Sequence, residues 1–303
     1  MASGKDPYID RLLGSITETS ILSHLRELVG VRHAVTNPEG LQRAATYLIE
    51  KMKSYDLEVE EDTMEGVPEK YANIIGHLRR RTPSQKILLV GAHYDTIADS
   101  PGADDNASGI AVMLEVARVL APCVSAGKRT VQFAGFTLEE AGFLGSEHYA
   151  QEIRRKKLPF LGAIVLECVG FVDDHSNSQA VPPGLTIKIP NKGNFIGLVG
   201  NQAAKGITEA FESAARRYVS DLPVASFLVP GRGEQIPDSR RSDHVPFWDR
   251  GYQGLLLTDT ANFRNPHYHR PTDQLDTLNI PFIVSVARTL AAMLVETVEL
   301  SGE

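Results

Sequence analysis

Residues 86–96 read KILLVGAHYDT, a continuous apolar run that ends in His93 and Asp95. A short run of this kind is typical of a β-strand that is buried on both faces of a sheet. Similar runs occur at 129–136 and 162–167, and helical patterns lie between most of the runs. Buried strands alternating with helices predict a three-layer α/β/α sandwich with a mixed, mainly parallel central sheet.

Further patterns on both sides of this stretch complete the predicted sheet and its covering helices. We predict strands at 57–62, 71–78, 86–93, 129–136, 162–167, 185–189, 194–200, 225–229 and 254–258. We predict helices at 38–54, 106–121, 140–156, 202–219 and 281–300. Asn37 and Pro38 suit the N-cap and first turn of the first helix. No helix separates the first two strands, which favours an antiparallel portion of the sheet.

Length and composition limit the classes of protein to consider. With 303 residues, 42% of them apolar, we expect a single domain over 1–303 in which 1–18 form an extension or a short helix. The net charge of -7 is spread along the chain and argues against a nucleic-acid partner. Cys123 and Cys168 are too few for a disulfide framework or a cysteine-based zinc site, so we expect two buried thiols in a reducing compartment.

The N-terminal residues lack the charged and apolar regions of a signal peptide, and no stretch reaches the ~18 apolar residues of a membrane span. We therefore expect a soluble protein with no membrane partner. As the sequence stands, it is expected to be cytoplasmic; if a signal peptide has been removed, it is secreted or periplasmic. The sequence carries no signal for an oligomeric state.

Metal-binding types of side chain follow several predicted strands at the point where each strand ends. A single histidine or acid is more often structural than functional, so the argument depends on the combination. In α/β sheets, ligands bind beyond the carboxyl ends of the strands, where loops from several strands meet. The side chains that follow the strands are His93, Asp95, Glu139, Glu140, Glu167 and His269.

Taken in order, these segments resemble the M28 family of zinc peptidases, which includes leucyl aminopeptidases and glutamate carboxypeptidase and has glutaminyl cyclase relatives. The resemblance covers about residues 20–300. The matching segments are H-x-D at His93–Asp95, GADDNASG at 102–109, TLEEAG at 137–142, the carboxylate Glu167, SDHVPF at 242–247 and NPHYHRPTD at 265–273.

The resemblance implies a peptidase of this fold with two zinc ions. Asp105 is expected to bridge them, while His93 and Glu167 complete one site and Glu140 and His269 complete the other. These nitrogen and oxygen ligands are the types that zinc prefers. Asp95 is expected to accept the second ring N–H of His93, and the peptide bond after Asp105 is expected to be cis.

The resemblance also implies how such a site acts. Glu139 is the expected general base for a zinc-activated water, and Tyr268 the expected donor to the oxyanion. Asp243 and His244 are expected to lie near the crevice as supporting residues, or else to cap a helix. The implied reaction is hydrolysis of the terminal bond of a peptide or small amide, and we favour an aminopeptidase.

Some features keep other functions open. Most of the family has Asp where this chain has Glu167, and Glu there is also compatible with one zinc ion, as in the glutaminyl cyclases, which are acyltransferases. His267 is a second candidate ligand next to His269. A carboxypeptidase would need a cation for the terminal carboxylate. The candidate cations are Arg232, Arg240 and Arg241, in a long loop at 229–243. A silent binding module is disfavoured because all five ligand positions keep an acid or a histidine.

Overall fold

A mixed sheet forms the middle layer of the protein in the computed structural model, which describes residues 4–78, 82–125, 127–183 and 189–302. The apolar runs recognised at 86–93, 129–136 and 162–167 lie in its central strands. The strands are β1 (Glu58–Asp62), β2 (Asn73–His77), β3 (Lys86–His93), β4 (Cys123–Ser125), β5 (Arg129–Phe136), β6 (Phe160–Glu167), β7 (Ile196–Asn201), β8 (Val224–Val229), β9 (Gln253–Thr258) and β10 (Leu300–Gly302).

Eight of these strands make one sheet in the order β1-β2-β5-β3-β6-β9-β7-β8. The four central strands β5, β3, β6 and β9 run parallel to one another. β1, β2 and β5 pair antiparallel, as does β7 with β9. The predicted mixed sheet with an early antiparallel portion is confirmed. Because the central strands are parallel, their carboxyl ends share one edge of the sheet.

Helices cover both faces of the sheet. They are α1 (Pro7–Gly14), α2 (Glu18–Leu28), α3 (Pro38–Ser54), α4 (Gly109–Leu120), α5 (Leu144–Arg155), α6 (Lys205–Tyr218), α7 (Val245–Asp249) and α8 (Ile280–Val298). The predicted cap of α3 is present: Asn37 accepts a hydrogen bond from the backbone N–H of Gly40, and Pro38 is the first helical residue.

Alternate residues of the central strands face opposite layers. Leu88 and Val90 of β3 belong to the larger apolar cluster, which includes residues of α1 to α4, α6 and α8. Leu89 between them packs in a smaller cluster with Tyr149 of α5 and Phe247 of α7. Side chains on both faces of one strand are therefore buried, and the three-layer sandwich is confirmed.

α8 has 19 residues and, among the described residues, is the one helix long and apolar enough to cross a membrane. In the fold it packs against α4 and α6. Arg288 interrupts its apolar sequence and donates hydrogen bonds to the backbone carbonyl of Ile16. Burial against several elements at once accounts for its nearly continuous apolar composition.

Several elements differ from the sequence-based expectations. The first 18 residues contain α1, the short helix that was one of the two expectations there, with Ile9 and Leu13 buried in the core, whereas α2 was not predicted. β4 and β10 form a separate two-stranded antiparallel ribbon that was also not predicted. The strand predicted at 185–189 lies outside the described residues, apart from Ile189. Cys123 and Cys168 are free, buried thiols, as expected.

A buried polar network joins α2 to α4 around Glu115, which is 1% exposed. Its carboxylate accepts hydrogen bonds from Ser20 Oγ at 2.6 Å and from Arg118 Nε at 2.8 Å, and it lies 3.2 Å from His24 Nε2. Burial alone raises the pKa of Glu115, but the hydrogen bonds from Arg118, His24 and Ser20 outweigh it and lower the pKa to about 2.

This depressed pKa makes part of the stability dependent on pH. The contribution is fully present above the usual glutamate value of 4.5 and is lost as pH falls towards about 2. We expect Glu115→Gln to lower the free energy of unfolding by about 3 kcal/mol at pH 7, since it leaves Arg118 without its carboxylate. We also expect it to flatten the decline below pH 4.5.

Urea unfolding at pH 3 to 7 tests this expectation. Glu209→Gln on α6 is the matched control, because Glu209 is exposed. Among the described residues its ion pair is with Lys205, whose Nζ lies 3.8 Å from Glu209 Oε1. An acid sensitivity that is identical in wild type and Glu115→Gln would contradict the prediction.

Candidate metal centre

The carboxyl edge of the central strands brings the predicted ligands together. His93 is the last residue of β3 and Glu167 the last residue of β6. Glu139 and Glu140 follow the end of β5 at Phe136. Two further ligands come from connecting segments, Asp105 from the irregular turn before α4 and His269 from the loop after β9.

Asp105 lies between the two histidines and directs one oxygen to each. Its Oδ1 is 3.1 Å from His93 Nε2, and its Oδ2 is 2.9 Å from His269 Nε2. Glu167 Oε2 lies 3.3 Å from His93 Nε2, and Glu140 Oε1 lies 3.4 Å from His269 Nε2. The five side chains therefore form two adjoining groups that share Asp105, with the pairing expected from the sequence.

The chemistry of this cluster fits metal ions. Asp105 and Glu167 are 3% and 8% exposed, so their carboxylates are largely removed from water. Among the described residues, Asp105 Oδ1 and Glu140 Oε1 are buried and accept no hydrogen bond, although a histidine nitrogen lies close to each. Buried carboxylates without hydrogen bonds are costly unless a cation compensates them. Carboxylate oxygen and imidazole nitrogen suit zinc.

Glu139 lies next to His93 and Glu167, close enough to share an ion with them, although it is not in the ligand set expected from the sequence. Its Oε2 is 4.0 Å from His93 Nε2, and the residue is 6% exposed. Burial raises the pKa of Glu139 well above its usual value; His93 opposes this shift, whereas Glu167 and other acids add to it. A carboxyl group in this environment holds a proton more readily than an exposed glutamate does.

Asp95 supports the centre differently from the sequence-based expectation. Its carboxylate accepts hydrogen bonds from the backbone N–H groups of Glu139 and Glu140, both at 3.1 Å. His93 Nδ1 lies 3.2 Å from the backbone carbonyl of Asp95 but 3.5 Å from its carboxylate. The His93 ring was expected to donate to the Asp95 carboxylate, but it lies nearer the backbone carbonyl of Asp95. The carboxylate itself accepts hydrogen bonds from the turn after β5.

Asp105 is positioned through its backbone. Asp273 accepts hydrogen bonds from the backbone N–H groups of Asp104 and Asp105, at 2.9 and 3.2 Å. The peptide bond between Asp105 and Asn106 is cis, as expected. Asn106 Nδ2 donates to the carbonyl of Leu166 at 2.8 Å, which ties this turn to the end of β6.

The structure also places the other candidates. The ring of Tyr268 stacks on that of His269 at 3.9 Å between centroids. His267 lies near Thr272 Oγ1 instead, at 3.0 Å, and is absent from the ligand cluster.

Asp243 is buried and accepts a hydrogen bond from Ser146. His244 donates from Nε2 to the carbonyl of Ser239, and neither its side chain nor that of Asp243 caps α7.

Two supporting residues were missed in the sequence. Ser242 Oγ donates to Glu167 Oε2 at 2.7 Å and so orients a proposed ligand. Arg32 is fully buried, and its guanidinium donates to backbone carbonyls that include those of Tyr94, Pro101 and Gly102. It therefore secures the loop that leads to Asp105. Ser242 opens the matching segment SDHVPF, but nothing in that segment indicates a contact with Glu167, and no motif marks Arg32.

An apolar pocket adjoins the cluster. It has a volume of about 130 Å³, and Glu167 and Tyr268 form part of its lining. Its apolar lining includes Phe195, Leu198, Phe227, Ile236, Leu256 and Phe263. The pocket therefore offers a binding place for an apolar group next to the predicted ligands.

Residues 73–294 match the family model for peptidase family M28. The chain belongs to peptidase family M28. It is 32% identical over 283 residues to the uncharacterized protein YfbL of Escherichia coli, with 89% of this chain and 84% of YfbL covered. It is 29% identical over 238 residues to aminopeptidase YwaD of Bacillus subtilis, covering 75% of this chain but only 45% of YwaD.

Solved structures resemble this M28 chain as well. The zinc aminopeptidase BSAP of Bacillus subtilis is 28% identical, with a TM-score of 0.57, 76% of this chain covered and 50% of BSAP. A glutaminyl cyclase of Macrostomum lignano shares the fold, with a TM-score of 0.75 at 17% identity over 99% of this chain and 96% of the cyclase. This chain thus spans half or less of YwaD and BSAP.

Proposed function

We propose that this chain is a zinc-dependent aminopeptidase that removes one residue from the N-terminus of a peptide. The observation that carries the proposal is Asp105, which directs its two oxygens to His93 and His269 between two groups of ligands. In this proposal His93 and Glu167 would hold one zinc ion, Glu140 and His269 would hold the second, and Asp105 would be shared by the two groups. Relatives named as aminopeptidases support the assignment.

When bound there, zinc would supply Lewis-acid chemistry and lower the pKa of a water molecule. The chain's own residues move the protons. Glu139, buried beside His93, accepts a proton at its carboxylate from the attacking water and returns it to the leaving amine. The hydroxyl of Tyr268 donates a hydrogen bond to the oxyanion; burial raises the pKa of Tyr268, so the phenol stays protonated.

The length of Glu167 is compatible with this proposal. Its carboxylate reaches to within 3.3 Å of His93 Nε2, and Ser242 holds it there. The extra methylene relative to aspartate therefore does not draw the ligand out of its group. Since all five ligand positions converge, the geometry favours a two-ion site over the one-ion alternative.

The surroundings favour an aminopeptidase over a carboxypeptidase. A free α-amine is a cation and is best bound near carboxylates, and this cluster contains Asp105, Glu139, Glu140 and Glu167. The apolar pocket beside Glu167 suits the side chain of the terminal residue. We therefore propose leucyl and phenylalanyl peptides as good substrates.

A panel of chromogenic anilides tests the function. We expect zinc-loaded protein to release the chromophore from leucyl and phenylalanyl anilides and not from their N-acetylated forms. Chelation of the metal should abolish turnover, and added zinc should restore it. Cleavage of N-blocked dipeptides would instead indicate a carboxypeptidase. Cyclisation of an N-terminal glutamine without hydrolysis would indicate an acyltransferase.

A further inference from the structure

The structure gives different surroundings to the three arginines of the long loop at 229–243. Arg240 donates two hydrogen bonds to the carboxylate of Asp249, at 3.0 and 2.9 Å. Arg232 is exposed on the surface of the loop. Arg241, unlike the other two, contributes to the lining of the apolar pocket together with Glu167 and Tyr268.

Contacts within the site fix the guanidinium of Arg241. Its Nη1 donates to Asn262 Oδ1 at 2.6 Å, and its Nη2 lies 3.4 Å from Tyr268 Oη. The guanidinium also lies over the Tyr268 ring, 5.8 Å from the centroid. Because Tyr268 stacks on His269, the cation is held one side chain away from a proposed metal ligand.

This guanidinium retains unused hydrogen-bond donors. An arginine side chain has five N–H groups, and the contacts with Asn262 and Tyr268 occupy two of them. The nearest described carboxylate, Asp238, is 3.7 Å away from Nη1, beyond hydrogen-bond distance, and the two side chains are 42% and 29% exposed. Such a pair is weak in water, so a better-placed carboxylate can compete with it.

We propose that Arg241 binds a free carboxylate of the substrate next to the scissile bond. This inference rests on the proposed function, since it names a preferred class among aminopeptidase substrates. Planar guanidinium and carboxylate groups pair through two parallel hydrogen bonds, and Arg241 is already oriented by its neighbours. The carboxylate has two available sources: the C-terminus of a dipeptide, or the acidic side chain of the terminal residue.

Two substrate pairs separate these sources. The first pair is leucyl-glycine and leucyl-glycinamide, and the second is glutamyl and glutaminyl anilide. We expect wild-type protein to favour the carboxylate member of one pair about 10- to 100-fold in kcat/KM, mainly through KM. Arg241→Gln should abolish this preference, and Arg241→Lys should retain part of it, since lysine keeps the charge but not the fork. Arg232→Gln is the matched control and should keep the full preference.

A binding measurement makes the test independent of turnover. In zinc-loaded Glu139→Gln protein, calorimetry should show tighter binding of the carboxylate member of the favoured pair, and adding Arg241→Gln should weaken that member alone. The inference is wrong if wild type shows no preference in either pair, or if Arg241→Gln weakens both members equally. If wild type cleaves no aminoacyl substrate, the proposed function fails, and the calorimetry still decides the role of Arg241.

Discussion

Glu139→Gln is expected to lower kcat on an aminoacyl anilide by about 10²- to 10⁴-fold, the range typical of a lost general base. Glutamine keeps the size of the side chain but cannot accept the proton at the buried position beside His93. Zinc content and KM should change little, because Glu139 is outside the proposed ligand set. Steady-state kinetics together with metal analysis of the same preparation measures both quantities.

The matched control is Glu209→Gln on α6, which makes the same chemical change at an exposed position. It should leave kcat and zinc content at wild-type values. If Glu139→Gln retained full turnover, or lost its zinc together with its activity, the role of proton acceptor would be wrong.

The second large effect is expected for Asp105→Asn. Both groups of ligands share this residue, so we expect zinc content to fall from about two ions per chain to below one, with activity lost. His93→Ala and His269→Ala should each remove mainly one ion, because each histidine belongs to one group. Metal analysis after dialysis against a weak chelator compares the three variants.

Thermal unfolding provides a second measurement on the same proteins. Zinc at 100 to 1,000 times its dissociation constant stabilises a folded protein by about 3–4 kcal/mol, which for a chain of this length corresponds to a rise in Tm of roughly 5–6 °C. Wild type should show this rise and Asp105→Asn should not. A variant that kept two ions and the full rise would show that Asp105 is not shared.

Local patterns were sufficient for the central part of the fold. The apolar runs of β3, β5 and β6 were long enough to mark buried strands, and Asn37 and Pro38 marked the start of α3. Short or amphipathic elements were missed because their sequence preferences are weak. β4 and β10 pair with each other although they lie far apart in the sequence. α2 depends on burial of Ile21 and Leu25 against elements that are also distant in the sequence.

By itself, the sequence determined the layered α/β fold and placed histidine and acidic side chains at the strand ends; the ligand set and Glu139 as the base were implied by the resemblance to the M28 family. These are local properties, set by runs of apolar residues and by short motifs beside them. The tertiary structure alone decided that Asp95 engages the backbone after β5, that Ser242 and Arg32 support the site, and that Arg241 faces the pocket. Such contacts join residues far apart in the chain, and only the packing of the layers brings their atoms within hydrogen-bond distance.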